Sequence, residues 1–253
     1  MRLGDGIAGL GSLVPGSVGL ILSDLPSGET RAEFDCRADL TALWPAVWRS
    51  LRPDGLCVLM ASSLAFASEV RASQPDAYRY ERIWKKTMAT GHLNAGRRPL
   101  RIHEYVLVFW RSGVHSPDDD GSRSRSHFGA PVYIPQMTTG HGPVHKAHRT
   151  SHGENYGAFS RVTDSRAGAT DRFPTSVLEF ASVGTTSPVR THPQQKPAAL
   201  LADLILTYSR PGDLVADPYA GSGSTGIAAA RCGRRAVMWD DCPRFASPIA
   251  GSP

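Results

Sequence analysis

Cysteine is scarce in this chain, and its spacing suggests neither of the two sites that cysteines usually build. Four cysteines are present, and no two of them form a Cys-x-x-Cys pair: Cys36, Cys57, Cys232 and Cys242. Neither a zinc site nor a disulfide framework is therefore suggested. Reduced thiols in a cytosolic protein are the simplest interpretation.

Long hydrophobic runs are also missing. No apolar stretch reaches the ~18 residues needed to cross a bilayer, and the N-terminus lacks the basic and then apolar layout of a signal peptide. The 253 residues, of which 41% are hydrophobic, suffice for one large α/β domain with insertions. We expect a soluble intracellular protein with no membrane partner.

Acidic residues are few between positions 71 and 111. This segment holds nine Lys and Arg residues against three Asp and Glu, whereas the whole chain carries a net charge of +5. Such a local surplus is a mild indication of a polyanionic partner. A solvated protein face could carry the same charge.

The most informative segment of the chain is Asp217-Pro-Tyr-Ala-Gly-Ser-Gly, near the C-terminus. It follows an apolar run at 214–216 and precedes an alanine-rich segment at 224–232, which predicts a strand, a glycine turn and a helix. This arrangement forms a cradle for nucleotide-type cofactors. Gly221 and Gly223 would let the backbone approach a ligand without an intervening Cβ.

A second apolar run, 236–239, ends in Asp240, 23 residues after Asp217. An acid at about this distance, at the end of the next strand, typically holds ribose hydroxyls. Only 13 residues follow Asp240, too few to complete a doubly wound sheet. We therefore expect the other strands to come from upstream, in a permuted order.

Three interpretations of the glycine turn compete. The pattern Gly221-x-Gly223-x-x-Gly226 satisfies the dinucleotide fingerprint, which is weak evidence alone. An NAD site, however, usually starts its glycines directly after the strand. The Asp-Pro-aromatic-x-Gly-x-Gly order looks like the S-adenosylmethionine turn of class I methyltransferases, and we favour that cofactor. The third interpretation is a cradle that no longer binds a ligand.

Short apolar strands alternate with helices along most of the chain, which predicts a largely parallel sheet. The predicted strands are 18–23, 56–60, 78–84, 104–110, 214–216 and 236–239. The predicted helices are 40–51, 65–73, 196–208 and 224–232, and a turn is predicted at 52–55. Residues 112–175 have little hydrophobic periodicity, which indicates a functional insertion or a mobile segment.

Six of the nine histidines fall in this insertion, among them His141, His145, His148 and His152. Their spacing would suit metal ligands on one face of a helix. Neighbouring glycines and a proline disfavour that helix, and no cysteine accompanies them. We therefore predict no metal site, and expect these histidines to contact DNA or solvent.

The loop Asp24-Leu-Pro-Ser-Gly28 follows the first long strand. In open α/β sheets the carboxyl ends of the strands are where ligands collect. A carboxylate there, with a backbone carbonyl beside it, could accept two hydrogen bonds from one NH2 group and aim its lone pair at a methyl donor. An Asp after a strand is otherwise commonly a helix cap or a turn former.

The order of these segments resembles the amino DNA methyltransferases of the beta arrangement. In that family an Asp-x-Pro loop comes first, a basic middle follows, and the cofactor turn comes last after a segment like His192-Pro-Gln-Gln-Lys-Pro197. The resemblance also covers the following short segments: Gly4-Asp5, Trp84-x-Lys, Gly91-x-Leu-Asn-Ala95, Arg98-Pro-Leu-Arg-x-His-Glu104 and Phe173-Pro-Thr-Ser176. Phage-borne and solitary adenine methylases are the most similar members.

The resemblance implies a class I S-adenosylmethionine-dependent methyltransferase fold, Rossmann-like and permuted. Residues 1–111 would form its catalytic half, 112–175 a loop-rich target-recognition insertion and 176–253 its cofactor-binding half. Double-stranded DNA would be the partner, and many members of this arrangement form homodimers. The protein would work in the cytoplasm of a bacterial or phage-infected cell, associated with the nucleoid, and could serve restriction-modification.

The resemblance also assigns roles to individual residues. Asp24 and the carbonyl of Leu25 would accept hydrogen bonds from the exocyclic amine of a flipped base, with Pro26 and Ser27 completing the catalytic loop. The cofactor would contact the following residues: Asp5 (adenine), Lys196 (carboxylate), Asp217, Tyr219, Gly221 and Gly223 (methionine part), and Asp240 (ribose). The expected DNA contacts are Lys85, Asn94, Arg97, Arg98 and Arg101.

Ser27 departs from the family pattern, which has an aromatic residue at this position. The missing ring would stack on the flipped base, a contact worth about 1–3 kcal/mol, so its loss should lower activity by roughly tenfold to a hundredfold. Phe34 could supply a substitute ring. The alternatives are an impaired relative that only binds DNA, and an enzyme that methylates an unusual base.

The target atom is also predicted. Asp24 favours adenine N6, since the cytosine-N4 enzymes of the family more often carry Ser at this position. No cysteine lies in the Asp24–Gly28 loop, which disfavours the cytosine-C5 reaction through a thiolate. We therefore expect direct methyl transfer without a covalent enzyme intermediate.

Overall fold

A computed structural model of the chain describes residues 1–30, 32, 35–111, 131–143, 168–184, 192 and 194–243. The chain divides into two units, Met1–Ile134 with Ser176–Pro253, and Pro135–Thr175. In the described part of the second unit, the only regular pairing is one β-bridge between Thr138 and Arg172.

Of the four histidines in the predicted cluster, the structure describes one. The Nε2 atom of His141 lies 2.8 Å from the hydroxyl of Thr138. His145, His148 and His152 lie outside the described residues.

The larger unit is built on one sheet with the strand order β1-β8-β7-β2-β3-β5-β4-β6. The strands are β1 (Arg2–Leu3), β2 (Val18–Asp24), β3 (Leu51–Ala61), β4 (Tyr78–Thr90), β5 (Arg101–Phe109), β6 (Val177–Glu179), β7 (Leu214–Asp217) and β8 (Arg235–Asp240). The helices are α1 (Gly6–Ser12), α2 (Leu40–Ser50), α3 (Leu64–Ala72), α4 (Ala198–Tyr208) and α5 (Ser224–Arg231). None of the helices in the described ranges is long and apolar enough to cross a membrane.

Most of the sheet is parallel, as the sequence predicts. Every pairing among these eight strands is parallel except β3 with β5 and β4 with β5. The exception arises because β4 and β5 form a hairpin through a 3-10 turn at His92–Asn94. Parallel neighbours would need a longer crossover connection.

The elements β1, α1 and β6 were not predicted, and the predicted boundaries differ most in β3 and in the β4–β5 hairpin. The turn predicted at 52–55 lies within β3, and the pairing of β2 with β3 shifts register between Val18 and Leu20. A Cβ on Gly55 would lie 3.0 Å from the carbonyl oxygen of Gly19. Glycine at position 55 therefore allows β2 and β3 to approach each other closely. The β4–β5 hairpin is also longer than predicted, because its outer residues are mostly polar and give no apolar signal.

The core has two layers, one on each face of the sheet. Ile21 packs with residues of α1, α2 and α3 on one face, whereas its neighbours Leu20 and Leu22 pack with residues of α4 and α5 on the other. Successive side chains of a strand point to opposite faces, so a strand covered by helices on both sides must be apolar throughout. This is why residues 18–22 of β2 and 56–61 of β3 are uninterrupted by charged residues.

An ion pair with a buried carboxylate connects the beginning of β3 to the turn before β7. The guanidinium of Arg52 donates to both carboxylate oxygens of Asp213, at 2.7 and 3.0 Å, and the backbone N–H of Arg210 donates to the same carboxylate at 2.8 Å. Asp213 is buried, and Arg52 is also paired with the more exposed Asp54. One carboxylate thus stabilises its own turn at 210–213 and joins that turn to β3.

Replacing Asp213 by Ala is expected to lower the free energy of unfolding by about 2 kcal/mol, because Arg52 would lose its bidentate partner and the N–H of Arg210 its charged acceptor. Urea unfolding followed by circular dichroism measures this loss. Asp54→Ala, which removes a more exposed partner of the same guanidinium, should cost less than about 1 kcal/mol. Equal losses in the two variants would contradict this account.

Candidate active site

The carboxyl ends of three neighbouring parallel strands each carry an aspartate. Asp24 ends β2, Asp217 ends β7 and Asp240 ends β8. An open cleft of about 780 Å³, including the solvent at its mouth, lies along this edge. The sequence-predicted residues that line it are Asp24, Leu25, Pro26, Lys196, Asp217, Tyr219, Gly221 and Asp240.

Three predicted site residues do not line this cleft. Ser27 is only 6% exposed and its side chain is not part of the cleft lining. Gly223 is the N-cap of α5, at φ 72°. Asp5 caps α1, accepting a hydrogen bond from the backbone N–H of Ile7 at 2.8 Å.

The turn after β7 is shaped by two of the aspartates. The carboxylate of Asp217 accepts hydrogen bonds from the hydroxyl of Ser23, at 2.7 Å, and from the backbone N–H of Tyr219, at 3.0 Å. The backbone N–H of Gly221, which has a φ of 50°, donates to the carboxylate of Asp240 at 2.7 Å. A left-handed backbone conformation at position 221 favours glycine, which explains the first glycine of the Gly-x-Gly pattern.

Burial dominates the electrostatics of Asp217. Its side chain is 2% exposed, and burial raises its pKa from the ordinary 3.8 to about 6, with a smaller contribution from the negative charge of Asp24. Burial also raises the pKa of Asp240. The carboxyl groups of Asp217 and Asp240 therefore line one side of the cleft, and burial disfavours their charged forms.

Replacing Asp217 by Asn is expected to stabilise the fold at high pH. A raised folded-state pKa means that the wild-type protein loses stability as pH rises from about 4 through 6, by about 3 kcal/mol in total. Asn keeps an acceptor for Ser23 and Tyr219 and carries no charge, so D217N should be the more stable protein at pH 8. It should lose that advantage at pH 4.

Urea unfolding of the wild-type protein and D217N at pH 4, 6 and 8 measures this difference. A gap in unfolding free energy that stays constant over this range would contradict the assignment of the charge to Asp217.

A glycine that the sequence did not single out connects α1 to the cofactor turn. A Cβ on Gly6 would lie 1.8 Å from the carbonyl oxygen of Pro218, and the backbone N–H of Gly4 donates to the carbonyl of Asp240 at 3.0 Å. Asp5 therefore lies beside the turn and outside the cleft. The sequence feature that could have indicated this contact is Gly-Asp-Gly at positions 4–6.

Hydrogen bonds stabilise the loop at residues 24–28. Asp35 accepts from the backbone N–H groups of Gly28, at 2.9 Å, and Thr30, at 2.8 Å. The Ser27 hydroxyl accepts weakly from the N–H of Glu29, at 3.3 Å, and its carbonyl accepts from Arg37 at 3.1 Å. Asp35 also lines the cleft and was missed by sequence reasoning. Phe34 lies outside the described residues.

Lys196 joins the catalytic loop to a buried charged cluster. Its ammonium donates to the carboxylate of Asp24 at 2.6 Å and lies 3.1 Å from Glu104. Lys86 also pairs with Glu104, and both lysine ammonium groups lie over the ring of Trp84, at 5.3 and 6.0 Å. We name Asp24, Lys86, Glu104 and Lys196 the charged cluster.

The charges of the cluster sustain one another. Burial lowers the pKa of Lys196, but the carboxylates of Asp24 and Glu104 raise it more, so the lysine stays protonated. Burial raises the pKa of Glu104, and the two lysines lower it below its ordinary value. Burial holds the pKa of Asp24 above its ordinary value, although Lys196 opposes the shift.

Sequence reasoning missed the roles of Lys86 and Glu104 in this cluster. The available signal was Glu104, which directly precedes the apolar run 105–109, because a charged residue is rarely buried without a partner. The contact predicted between Lys196 and a cofactor carboxylate stays a prediction.

The predicted DNA contacts lie on the β4–β5 hairpin. Arg97 and Arg98 are exposed at its tip, where their backbone N–H groups donate to the carbonyl of Asn94 at 2.9 and 3.1 Å. Lys85 pairs with Glu179 at 2.9 Å, and Arg101 donates to the carbonyl of Ser62 at 2.8 Å. The tip therefore presents two arginines to solvent, while Lys85 and Arg101 also contact the protein.

The hairpin extends past the edge of the sheet that carries the cleft. Strand β3 ends at Ala61, opposite Tyr105, and Tyr105 pairs with Ile83 on β4. β4 then continues for seven residues to Thr90, or roughly 20 Å at the usual rise of a strand. Since β4 runs in the same direction as β2, its tip lies beyond the end that carries Asp24.

Comparison with known proteins identifies the family. The family model described as DNA methylase matches residues 49–249. The chain belongs to this DNA methylase family. This membership confirms the class I methyltransferase fold and the S-adenosylmethionine cofactor that were expected from the sequence.

Two curated relatives match over short segments. The DNA adenine methyltransferase YhdJ of Escherichia coli K12 is 43% identical over 67 residues, which cover 26% of this chain and 23% of the relative. The type II methyltransferase M2.DpnII of Streptococcus pneumoniae is 50% identical over 49 residues, 19% of this chain and 18% of the relative. The matches thus span less than a quarter of the length of either relative.

Solved methyltransferase structures share this fold. The cytosine-N4-specific PvuII DNA methyltransferase superposes with a TM-score of 0.63 at 17% identity, covering 97% of this chain and 83% of its own. The M1.HpyAVI–SAM complex gives a TM-score of 0.56 at 17% identity, covering 96% and 93%. At these identities the likeness establishes the fold alone.

Proposed function

We propose that this protein transfers a methyl group from S-adenosylmethionine to the exocyclic amine of a flipped base in double-stranded DNA, and that the target is adenine N6. The observation that carries the proposal is the single cleft into which Asp24 and the glycine turn both open. The bond between Ser23 and Asp217 connects the ends of the two strands. Catalytic and cofactor segments nearly 200 residues apart in sequence thus share one site.

The residues present fit the cofactor. The turn offers a glycine without a Cβ at position 221, the carboxylate of Asp240 and the half-buried ring of Tyr219. We propose that Tyr219 and Gly221 contact the methionine part, that Asp240 holds the ribose and that Asp5 lies toward the adenine. S-adenosylmethionine supplies an electrophilic methyl group.

Asp24 supplies the protein's part of the chemistry. Its carboxylate, with the carbonyl of Leu25, would accept hydrogen bonds from the target NH2 and orient the nitrogen lone pair toward the methyl group. As the amine takes up the methyl group, the carboxylate would stabilise the positive charge that develops on nitrogen, until a proton is lost to water. The base must be flipped because its amine is inaccessible within the duplex.

Two observations support adenine over cytosine. Asp24 occupies the position where cytosine-N4 members more often carry Ser, and one of the relatives is an adenine methyltransferase by name.

The basic tip of the β4–β5 hairpin would contact the DNA through Asn94, Arg97 and Arg98. Lys85 and Arg101, which lie nearer the sheet, would contact neighbouring phosphates of the DNA.

We extend three further expectations to this protein as proposals. Residues 112–175 would recognise the target sequence, between the catalytic half at 1–111 and the cofactor-binding half at 176–253. The protein would act as a homodimer in the cytoplasm of a bacterial or phage-infected cell, near the nucleoid. A role in restriction-modification would fit this activity.

Mass spectrometry of nucleosides tests the function. DNA from cells expressing the wild-type protein should contain N6-methyladenine, and DNA from cells expressing Asp24→Ala should not. N4-methylcytosine in its place would correct the target base. No modified nucleoside in either sample would favour a protein that binds DNA without methylating it.

That alternative is supported by Ser27, whose small side chain is buried and engaged with the backbone of Glu29. Replacing Ser27 by Tyr is expected to raise turnover by roughly tenfold to a hundredfold if the missing base stack limits catalysis. Methylation rates of the two proteins on the same DNA measure the effect. No gain, together with unchanged DNA binding, would favour the binding protein, and lower turnover would favour an unusual base.

A further inference from the structure

We propose that Glu104 is a positioning residue that holds Lys196 away from Asp24 during the reaction. The proposal rests on the proposed function, because it concerns how Asp24 becomes available to the target amine. In the structure the Asp24 Oδ2 atom is occupied by the ammonium of Lys196, at 2.6 Å. An amine that needs this oxygen must displace the lysine, and the displaced charge needs another partner.

Glu104 is placed to receive that charge. Its Oε2 atom lies 3.1 Å from the ammonium of Lys196, while its Oε1 atom is paired with Lys86. Among the residues that the structure describes, Oε2 accepts no well-aligned hydrogen bond. A buried acceptor without such a bond is costly, so a small movement of Lys196 toward Glu104 would satisfy one carboxylate as it releases the other.

Burial of the charged cluster makes the choice of partner for Lys196 important. The side chains of Glu104, Lys86 and Lys196 are each 10% exposed, whereas that of Asp24 is 28% exposed and faces the cleft. Water therefore cannot easily take the place of a lost partner inside the cluster. Asp24, at the more exposed end, is the member that a substrate can reach.

The charge balance indicates what the loss of Glu104 would do. Two carboxylates and two ammonium groups make up the cluster, and Asp24 and Glu104 are the carboxylates within ion-pair distance of Lys196 in the described part of the chain. Without the Glu104 charge, Asp24 would be the remaining ionic partner of Lys196. The lysine would then compete more strongly with the target amine.

The test is the methylation kinetics of Glu104→Gln on genomic DNA, with S-adenosylmethionine binding measured by calorimetry. We expect kcat to fall by tenfold or more while the Kd of the cofactor changes less than threefold. Glu104→Asp, which restores a carboxylate, should recover at least a third of the wild-type kcat. A purely structural role would not separate kcat from cofactor binding in this way.

Asp203→Asn is the matched control. Asp203 is a largely buried carboxylate on α4 that pairs with Arg82 of β4 at 3.1 Å and does not line the cleft. D203N should keep kcat within twofold of the wild-type value even if it lowers the melting temperature. If E104Q does not fold, the double variant with Lys86→Met, which also removes the second ammonium group, should show the same loss of kcat.

Three results would overturn the proposal. E104Q could keep its kcat, D203N could lose as much kcat as E104Q, or E104D could fail to recover activity. Failure of the proposed function is distinguishable from these, because the wild-type protein would then bind cofactor and transfer no methyl group in the same assay.

Discussion

Replacing Asp24 by Asn is expected to lower the methylation rate by about a hundredfold to a thousandfold, while leaving cofactor binding nearly unchanged. Asn keeps the shape of the side chain and one acceptor oxygen. It lacks the negative charge that would stabilise the amine as the N–C bond forms, and preorganised groups of this kind typically contribute this much to catalysis. The rate loss should therefore lie in kcat.

Single-turnover methylation and calorimetric binding of S-adenosylmethionine separate the two effects. Asp76→Asn is a suitable control, because Asp76 is exposed and lies outside the cleft, and its rate should match that of the wild-type protein. If D24N instead weakened cofactor binding and kept kcat, Asp24 would belong to the cofactor site.

Replacing Gly6 by Ala is expected to destabilise the protein by about 3 kcal/mol and to weaken cofactor binding. The new Cβ would lie 1.8 Å from the carbonyl oxygen of Pro218, so α1 or the cofactor turn must move. Introducing atoms into a well-packed site typically costs about 1–3 kcal/mol. Here the obstacle is backbone, which cannot rotate away.

Gly11→Ala provides a control within the same helix. A Cβ on Gly11 would have no atom within 4 Å among the described residues, so Ala there should leave stability unchanged or raise it by up to about 1 kcal/mol. Thermal unfolding with and without S-adenosylmethionine distinguishes the two variants. A similar melting temperature for both variants would mean that the contact between Gly6 and Pro218 does not exclude a side chain at position 6.

The parallel part of the fold was predictable because its signals are local. Val18–Asp24 and Leu214–Asp217 are buried on both faces, so their apolar runs are unbroken, and each ends in an aspartate before a proline-containing turn. The β4–β5 hairpin was less predictable. Its outer residues are polar and exposed, and its antiparallel pairing depends on contacts with β3 that no local pattern displays.

The candidate site divides in the same way. The glycine turn could be found because a left-handed backbone at Gly221 restricts the residue type there. Gly6 left almost no signal, since the atom that excludes a side chain belongs to Pro218, more than two hundred positions away. Asp35 was missed for a similar reason, because an aspartate that bonds backbone N–H groups of a loop looks like any exposed acid.

By itself, therefore, the sequence determined the fold family, the cofactor turn and the aspartates that end the strands, because backbone geometry and burial limit which residues can stand there. The tertiary structure alone decided which charges meet. Asp24, Lys86, Glu104 and Lys196 come from β2, β4, β5 and the segment before α4, and they form one cluster only when the sheet assembles. A charge interacts through space, and its position in the chain does not reveal its partner.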